Sequence, residues 1–565
     1  MRLTMTAVAA LAMAAAAPAV ADATVEGSLM DLIDNPLICA SPENPADIPG
    51  APVAEMVMVE GFGTGGFAVD TTNPQAQAWF NHGVRLRWAF EHTESVRAFQ
   101  RARLIDPSCG MCAWGEAWAM GPNLNGGGTG EDTRRAALAI ARDARRLARD
   151  ADRTQVRMID ALIQRYSGWE NSRARRYAHY MDRIARDNPA DVAVAAITAD
   201  AWMMQADEWW DDEGQAADAG ITRAMNILEA ALAHAPDDPG AIHLYIHLTE
   251  WSDDPHRAIP YGERLAALAP GASHLVHMPS HTFYRVGRYR DAMMSNVNAV
   301  ALDARYVDLA SPPGGIRGVR LHGHNIHFGM GGALMAGGAE DGLRLAERFL
   351  TLYTRHTRTD ASWGQATANN AYALYGRYGS DEQIAALDEP PENRPLMRIG
   401  WRYGRGEAAA RRGDADAVDH EAAEIGRLSE ALPQGPEHEF ALAFSTAFQK
   451  VLEGRAAMIR GDWATATAAY GRAAEIQALG EEGGDPPIIW FPIRRSLAAA
   501  LLASGDAAGA RDKVLELLED WPSDPYSYFV LAEAYDALGD ADAAARARAA
   551  GSREWIGGDM SLALA

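Results

Sequence analysis

Histidine is the residue type in this sequence whose placement invites chemistry. Of 16 histidines, seven fall in three clusters: His243 and His247; His274, His277 and His281; His324 and His327. His322 stands just before the last pair. Gaps of three and four residues put side chains on one face of a helix. His243, His247 and Glu250 therefore form one stripe, and His274, His277 and His281 form another if their segment is helical. Pro279 interrupts that second stripe, and proline disfavours a helix interior. The spacing thus predicts a helix beginning near Met278, with His274 and His277 in the turn before it. Imidazole nitrogens with one carboxylate suit a divalent transition metal, Zn or Cu first and Fe or Ni after them. Seven histidines and a glutamate exceed what one tetrahedral ion needs. Either two ions bind, or some of these groups orient others through hydrogen bonds. The competing reading makes them packing and hydrogen-bonding groups in a polar groove.

Cys109-Gly-Met-Cys112 is a second candidate. It follows Asp106-Pro107 and should open a helix, where the helix dipole lowers a thiol pKa. A disulfide between Cys109 and Cys112 is the expected state. A soft-metal pair, as for Cu(I), and a redox pair are the alternatives. A bond from Cys39 to one of the two is a further pairing.

Familiar catalytic motifs are missing. His243-Leu-Tyr-Ile-His247 has ligand spacing but no Glu after its first histidine, so it is not the zincin motif. The glycine runs at 61–66 and 126–130 lack the Lys-Ser/Thr of a phosphate loop, and no Gly-x-Ser-x-Gly elbow occurs. His82 falls at a position that should pack inward.

The elements that carry these residues repeat. From Pro525 the residues Tyr528, Leu531, Ala532, Tyr535, Gly539 and Ala544 follow a spacing that resembles the tetratricopeptide repeat (TPR). A second copy starts at Ala76, with Trp79, Gly83, Leu86, Phe99 and Ala102. A third starts at Ser273, with Gly287, Tyr289, Ala292 and Ala299. A fourth starts at Ala447, with Gly461, Trp463, Ala466, Tyr470 and Ala473. Segments from Ser108, Pro239, Gly323 and Phe491 fit more loosely. The resemblance implies an all-α fold, an α-solenoid of antiparallel helix pairs. One pair cannot bury its apolar face alone, so neighbours stack into a superhelix.

The repeat register sharpens the histidine pattern. In TPR folds the first helix of each pair lines the concave groove, largely through positions 2, 5, 9 and 12. Counted from Pro239, Ser273 and Gly323, all seven histidines and Glu250 take such positions. Three adjacent helices, with axes about 8–10 Å apart, would bring them into one site. By the same count Cys109 and Cys112 face the groove.

His277-Met-Pro-Ser-His281, with Cys109–Trp114 and Gly121-Pro-Asn123 upstream, resembles a group of exported bacterial TPR-domain proteins, from about residue 75 to at least 380. That resemblance implies a fold and no reaction. TPR proteins in general bind peptides or protein partners in the groove. The carboxylate clamp of chaperone-type members uses Lys and Asn where this chain has His.

Composition bounds the rest. The 565 residues are 48% hydrophobic and 23% charged, an ordinary globular balance. A formal charge of −24 gives no overall footprint for nucleic acid or an anionic membrane. Arg2 followed by an apolar run and Ala19-Val20-Ala21 reads as a secretory signal cleaved after Ala21, so the chain is expected in the periplasm or outside the cell. No later run is long enough to span a bilayer. The expected organisation is a signal at 1–21, an extended Pro/Gly-rich arm at 22–75, an N-terminal array with the histidine groove at 76–380, and a C-terminal array at 381–565. The leading reading is an exported repeat protein that binds a transition metal in its groove. A metalloenzyme using the same site and a metal-free peptide- or protein-binding scaffold are the alternatives.

Overall fold

The computed structural model describes residues 20–21, 48–125, 129–148, 152–354, 362–435, 437–479 and 486–565. Cys39, most of the expected signal and the arm up to residue 47 lie outside the described residues.

Helix pairs succeed one another along the chain. Pro74–Trp88 pairs with His92–Ile105, Gly110–Ala119 with Glu131–Leu147, Arg153–Tyr166 with Glu170–Asp187, Val192–Met203 with Ala219–His234, and Pro239–Thr249 with Ile259–Leu268. Ser273–His277 and Pro279–Arg285 together face Tyr289–Ala310, and His322–Ala336 faces Ala339–Tyr353. From Asn369 to Glu554 the alternation continues, with the long helices Pro395–Arg411 and His438–Arg460 as first members of their pairs. The chain is therefore an all-α solenoid of the TPR type. Its one small β element among the described residues is the parallel pairing of Val20–Ala21 with Met58–Val59.

Local chemistry explains the punctuation. Asp238 accepts the Ala241 N–H while Pro239 takes the first helical position, and Asp524 with Pro525 repeats the device. Several of the turns inside a pair use one left-handed residue. Gly287, Gly337, Gly461 and Gly539 supply it, with φ between 73° and 81°. These four glycines sit at the same offset from Ser273, Gly323, Ala447 and Pro525.

Pro279 does not leave the preceding histidines in a turn. Ser273–His277 is itself helical, and Met278 keeps right-handed helical angles (φ −49°, ψ −39°) between the two short helices. The Met278 N–H bonds to the His274 carbonyl at 2.9 Å, and Pro279 opens the next helix, where its missing N–H costs nothing.

The break at Met278 is also where the interior divides. One large apolar cluster runs from Met56 to Met278, with Tyr306, Ala310 and Val319 added to it. A second begins at Phe283 and extends to Trp521. Residues 48–73 cross the first half: Met58, Val59 and Phe62 are buried in its core, and backbone bonds join Ala51 to Ser311 and Gly61 to Gly271.

The last residues return along the second half. The Ile556 N–H bonds to the Ala336 carbonyl at 2.9 Å. Arg377 donates to the Leu564 carbonyl and Arg455 to the Ala565 carbonyl, each at 2.7 Å.

Candidate metal centre

Six of the expected ligands converge. His243, His247 and His274 form one group, and His277, His281 and His324 another; within each, one nitrogen from every ring lies within 4.8 Å of the others. The groups abut: His274 stacks on His277 at 5.2 Å between centroids, and His247 lies 5.4 Å from His281. All are buried except the half-buried His324.

Hydrogen bonds fix which nitrogen each ring offers. His243 Nδ1 stands 2.5 Å from the Trp88 carbonyl oxygen. A carbonyl only accepts, so Nδ1 carries the proton and Nε2 keeps its lone pair; that Nε2 is buried without a hydrogen-bond partner. The Asn296 amide nitrogen donates to the Ala292 carbonyl at 2.8 Å, which turns its Oδ1 toward His277 Nδ1, 2.6 Å away. His277 is thereby also left with a bare Nε2. His281 Nδ1 lies 2.5 Å from Glu250 Oε2, and His247 Nδ1 lies 3.6 Å from Glu250 Oε1. The His247 Nε2 and both nitrogens of His274 are buried without hydrogen-bond partners.

The consequence is sharpest between His277 and His281, whose Nε2 atoms stand 2.9 Å apart. His277 has committed its Nδ1 proton to Asn296, so its Nε2 lone pair faces the second ring. That approach is stable with a proton or a cation between them.

Electrostatics agree. Burial first, and neighbouring imidazoles second, hold His274, His277 and His324 well below the ordinary histidine pKa; burial and His247 do the same to His243. These rings are neutral near pH 7 and offer lone pairs. Burial works against ionisation of Glu250, but His281 and His247 beside it carry its pKa well below the usual carboxylate range. An ionised Glu250 spanning one ring from each group orients both, in the carboxylate–histidine arrangement common around metals. The structure thus places Glu250 behind the imidazoles and not among the converging Nε2 atoms.

His327 stands apart. Its Nε2 meets the Asn370 amide at 3.1 Å, and burial lowers its pKa to about 4. His322 is taken up by Asp303 at 2.8 Å and Arg348 at 2.9 Å. His82 is buried against Phe62 and Trp79, and burial lowers its pKa to about 3. Cys109 and Cys112 are joined in a disulfide, with Cys109 capping the helix from Gly110.

Two contributors escape a search for ligands by residue type. Phe90 packs its ring against His243, His247 and His274 at 4.3, 5.5 and 5.1 Å. It occupies the offset where the other copies carry the turn glycine, and its φ is +55°. A bulky residue there costs of order 1–2 kcal/mol, a strain tolerated where the ring closes one wall of the histidine group. Asn296 is the other. It takes the offset held by Phe99 and Tyr470 in their copies, and Ser280 takes that of Gly83 and Gly454. Phe99 lies 2.9 Å from where a Cβ on Gly83 would stand. In the histidine unit this apolar pair is replaced by polar groups around His277.

Fold and site together define a TPR-type solenoid with a histidine-lined interior. No family model and no curated protein matches the chain. Among solved structures it is similar to the human IFIT1 dimer with m7Gppp-AAAA, at 12% identity over 79% of this chain and 89% of that one, with a TM-score of 0.30. It is also similar to the human IFIT1 dimer with PPP-AAAA, at 12% identity over 83% and 94%, with a TM-score of 0.28. No helix among the described residues is long and apolar enough to cross a membrane.

Proposed function

We propose that this chain handles metal: it holds divalent transition-metal ions between His243, His247 and His274, and between His277, His281 and His324. The observation that carries this reading is the convergence of six imidazoles into two groups of three, with His243 Nε2, His247 Nε2 and both nitrogens of His274 buried without hydrogen-bond partners. An all-imidazole donor set selects Zn, Cu, Ni or Fe over Mg or Ca. Export to an oxidising compartment fits the N-terminal signal pattern, the Cys109–Cys112 disulfide and the resemblance to exported bacterial TPR proteins.

The test is elemental analysis of untagged protein recovered from the exported fraction. Two equivalents of metal are expected. Replacing His247→Ala and His281→Ala together, one ring from each group, removes both while helicity stays nearly intact. A wild type that never takes up metal, or a double variant that keeps it, overturns the reading in favour of the metal-free peptide-binding scaffold.

A further inference from the structure

The helices from Glu131 to Asp187 are electrically unlike the rest of the chain. The span 131–187 carries fourteen arginines against nine acidic residues, in a protein whose net charge is −24. A cleft of about 390 Å³ opens at the ends of these helices, with Arg134, Arg165, Arg173, Tyr166, Tyr177 and Glu170 among its walls. Cavities of about 300–1,000 Å³ are the usual size for small-molecule sites.

Arg165 in the cleft wall shares the Pro122 carbonyl with Arg87 behind it, and the two leave a cation unbalanced. Arg165 is 5% exposed and Arg87 1%, and the carboxylate near them is Asp200, also 1% exposed. Asp200 approaches Arg87 at 3.7 Å. Arg165 uses Nη2 on the Pro122 carbonyl at 3.0 Å and stacks over the Tyr177 ring at 4.7 Å. Its Nη1 is buried without a hydrogen-bond partner, and so is the Tyr177 hydroxyl, on a side chain 1% exposed. The outer arginines are already engaged: Arg134 pairs with Glu131 at 2.6 Å, and Arg173 donates to the Gly168 carbonyl at 3.1 Å. Two buried guanidinium groups against one carboxylate leave a net positive charge, which is costly unless an anion joins it. A guanidinium edge beside a phenol O–H is a donor set for a planar or tetrahedral oxyanion.

We propose that this cleft binds a small organic oxyanion, its carboxylate or phosphate group held by Arg165 Nη1 and the Tyr177 hydroxyl. Glu170 at the wall sets the polarity of the outer end, and the ligand's body fills the remaining volume beside Ala201 and Met204. The site is separate from the histidine chamber and does not depend on metal there.

Isothermal titration of the full chain with inorganic phosphate, and separately with succinate, against chloride of equal ionic strength, tests it. Saturable heat with phosphate alone assigns a phosphoryl ligand, and with succinate alone a carboxylate. Tyr177→Phe removes only an unpartnered hydroxyl, so the thermal midpoint should hold while affinity for the bound anion falls about tenfold. Arg165→Lys keeps the charge but not the fork and should weaken binding further. No heat from either anion beyond chloride, or unaltered binding by Tyr177→Phe, overturns the proposal.

Discussion

Two interiors of one repeat array are built from opposite materials. In the histidine chamber, neutral rings converge and several nitrogens are buried without hydrogen-bond partners. In the second half, the corresponding first helices carry charges that answer one another. Arg455 and Glu407 meet at 3.2 Å with both side chains fully buried, and Arg495 meets Asp524 at 2.9 Å. The Tyr403 hydroxyl donates to Glu407 at 3.0 Å. The carbonyls of Ala563, Leu564 and Ala565 take further arginine donors there. The chain thus closes one interior with its own backbone and leaves the other lined with lone pairs. Buried polar atoms in a finished structure are normally satisfied. In the second interior the atoms left over sit on charged groups already paired with one another, such as Glu407 Oε2 and Arg455 Nη2, whereas in the histidine chamber they are neutral ring nitrogens able to take a ligand.

Variants can pull the two regions apart. The largest effect belongs to the second interior. Arg455→Met strands Glu407 in the core, and breaking a buried pair in this way costs about 3–5 kcal/mol. Urea unfolding should show that loss while metal content stays at its wild-type value; a fall in metal content would mean that the regions are not independent.

Acid should act the other way. Burial, with Arg85 adding to it, lowers His82 to about 3; burial and Arg87 take His92 to about 2; burial takes His327 to about 4. Below pH 6.5 the unfolded chain binds protons that these folded rings refuse, so stability falls as pH drops. Each ring contributes a slope of up to about 1.4 kcal/mol per pH unit, until its folded pKa is reached. Glu407 keeps its charge longer: burial opposes ionisation, but Arg455 and Arg377 hold its pKa below the ordinary value. Hydrogen exchange near pH 5 should therefore open the segments around residues 82–92 and 322–330 before those around 403–455. Simultaneous opening would erase the distinction.

Within the histidine chamber the supporting groups should matter less than the ligands. Asn296→Ala removes the acceptor that fixes the His277 tautomer, and metal affinity should fall about 10–100-fold. Competition against a chelator measures it, and undiminished affinity would show that His277 needs no such guide. The smallest effect is expected from His327→Gln. It exchanges one hydrogen bond for another, worth about 1 kcal/mol at most, and leaves the metal equivalents unchanged. Lost metal in this variant would return His327 to the ligand set.

The sequence carries the repeat and the histidine register openly, because residue type and offset are both visible in one dimension. His243, His274 and His324 can be placed on one face by counting. The partner of His243 cannot: the Trp88 carbonyl lies 155 residues upstream and is backbone, so no side chain announces it. Glu250 has the right type and offset, yet its role depends on His281 Nδ1 reaching it, a fact of helix packing and not of spacing. Met278 shows a rule overridden by context. Residues before proline avoid the helical region, but here the flanking short helices and the His274 carbonyl hold it there. Phe90 and Asn296 were legible as departures from the repeat, a phenylalanine at a glycine offset and an asparagine at an aromatic one. A search for matches to the repeat passes over such departures.

The division of the apolar interior at Met278 bears on how the molecule comes apart. Solenoids are nearly one-dimensional, and their unfolding is governed by the coupling across each junction. Here the junction passes between His277, at the end of one short helix, and His281, inside the next. An ion shared by these two rings and His324 would act as a rivet across that joint. With the rivet in place the array should melt in one transition. With it stripped out, the halves should part into two, and the separation between the two midpoints would read directly how strongly one half supports the other.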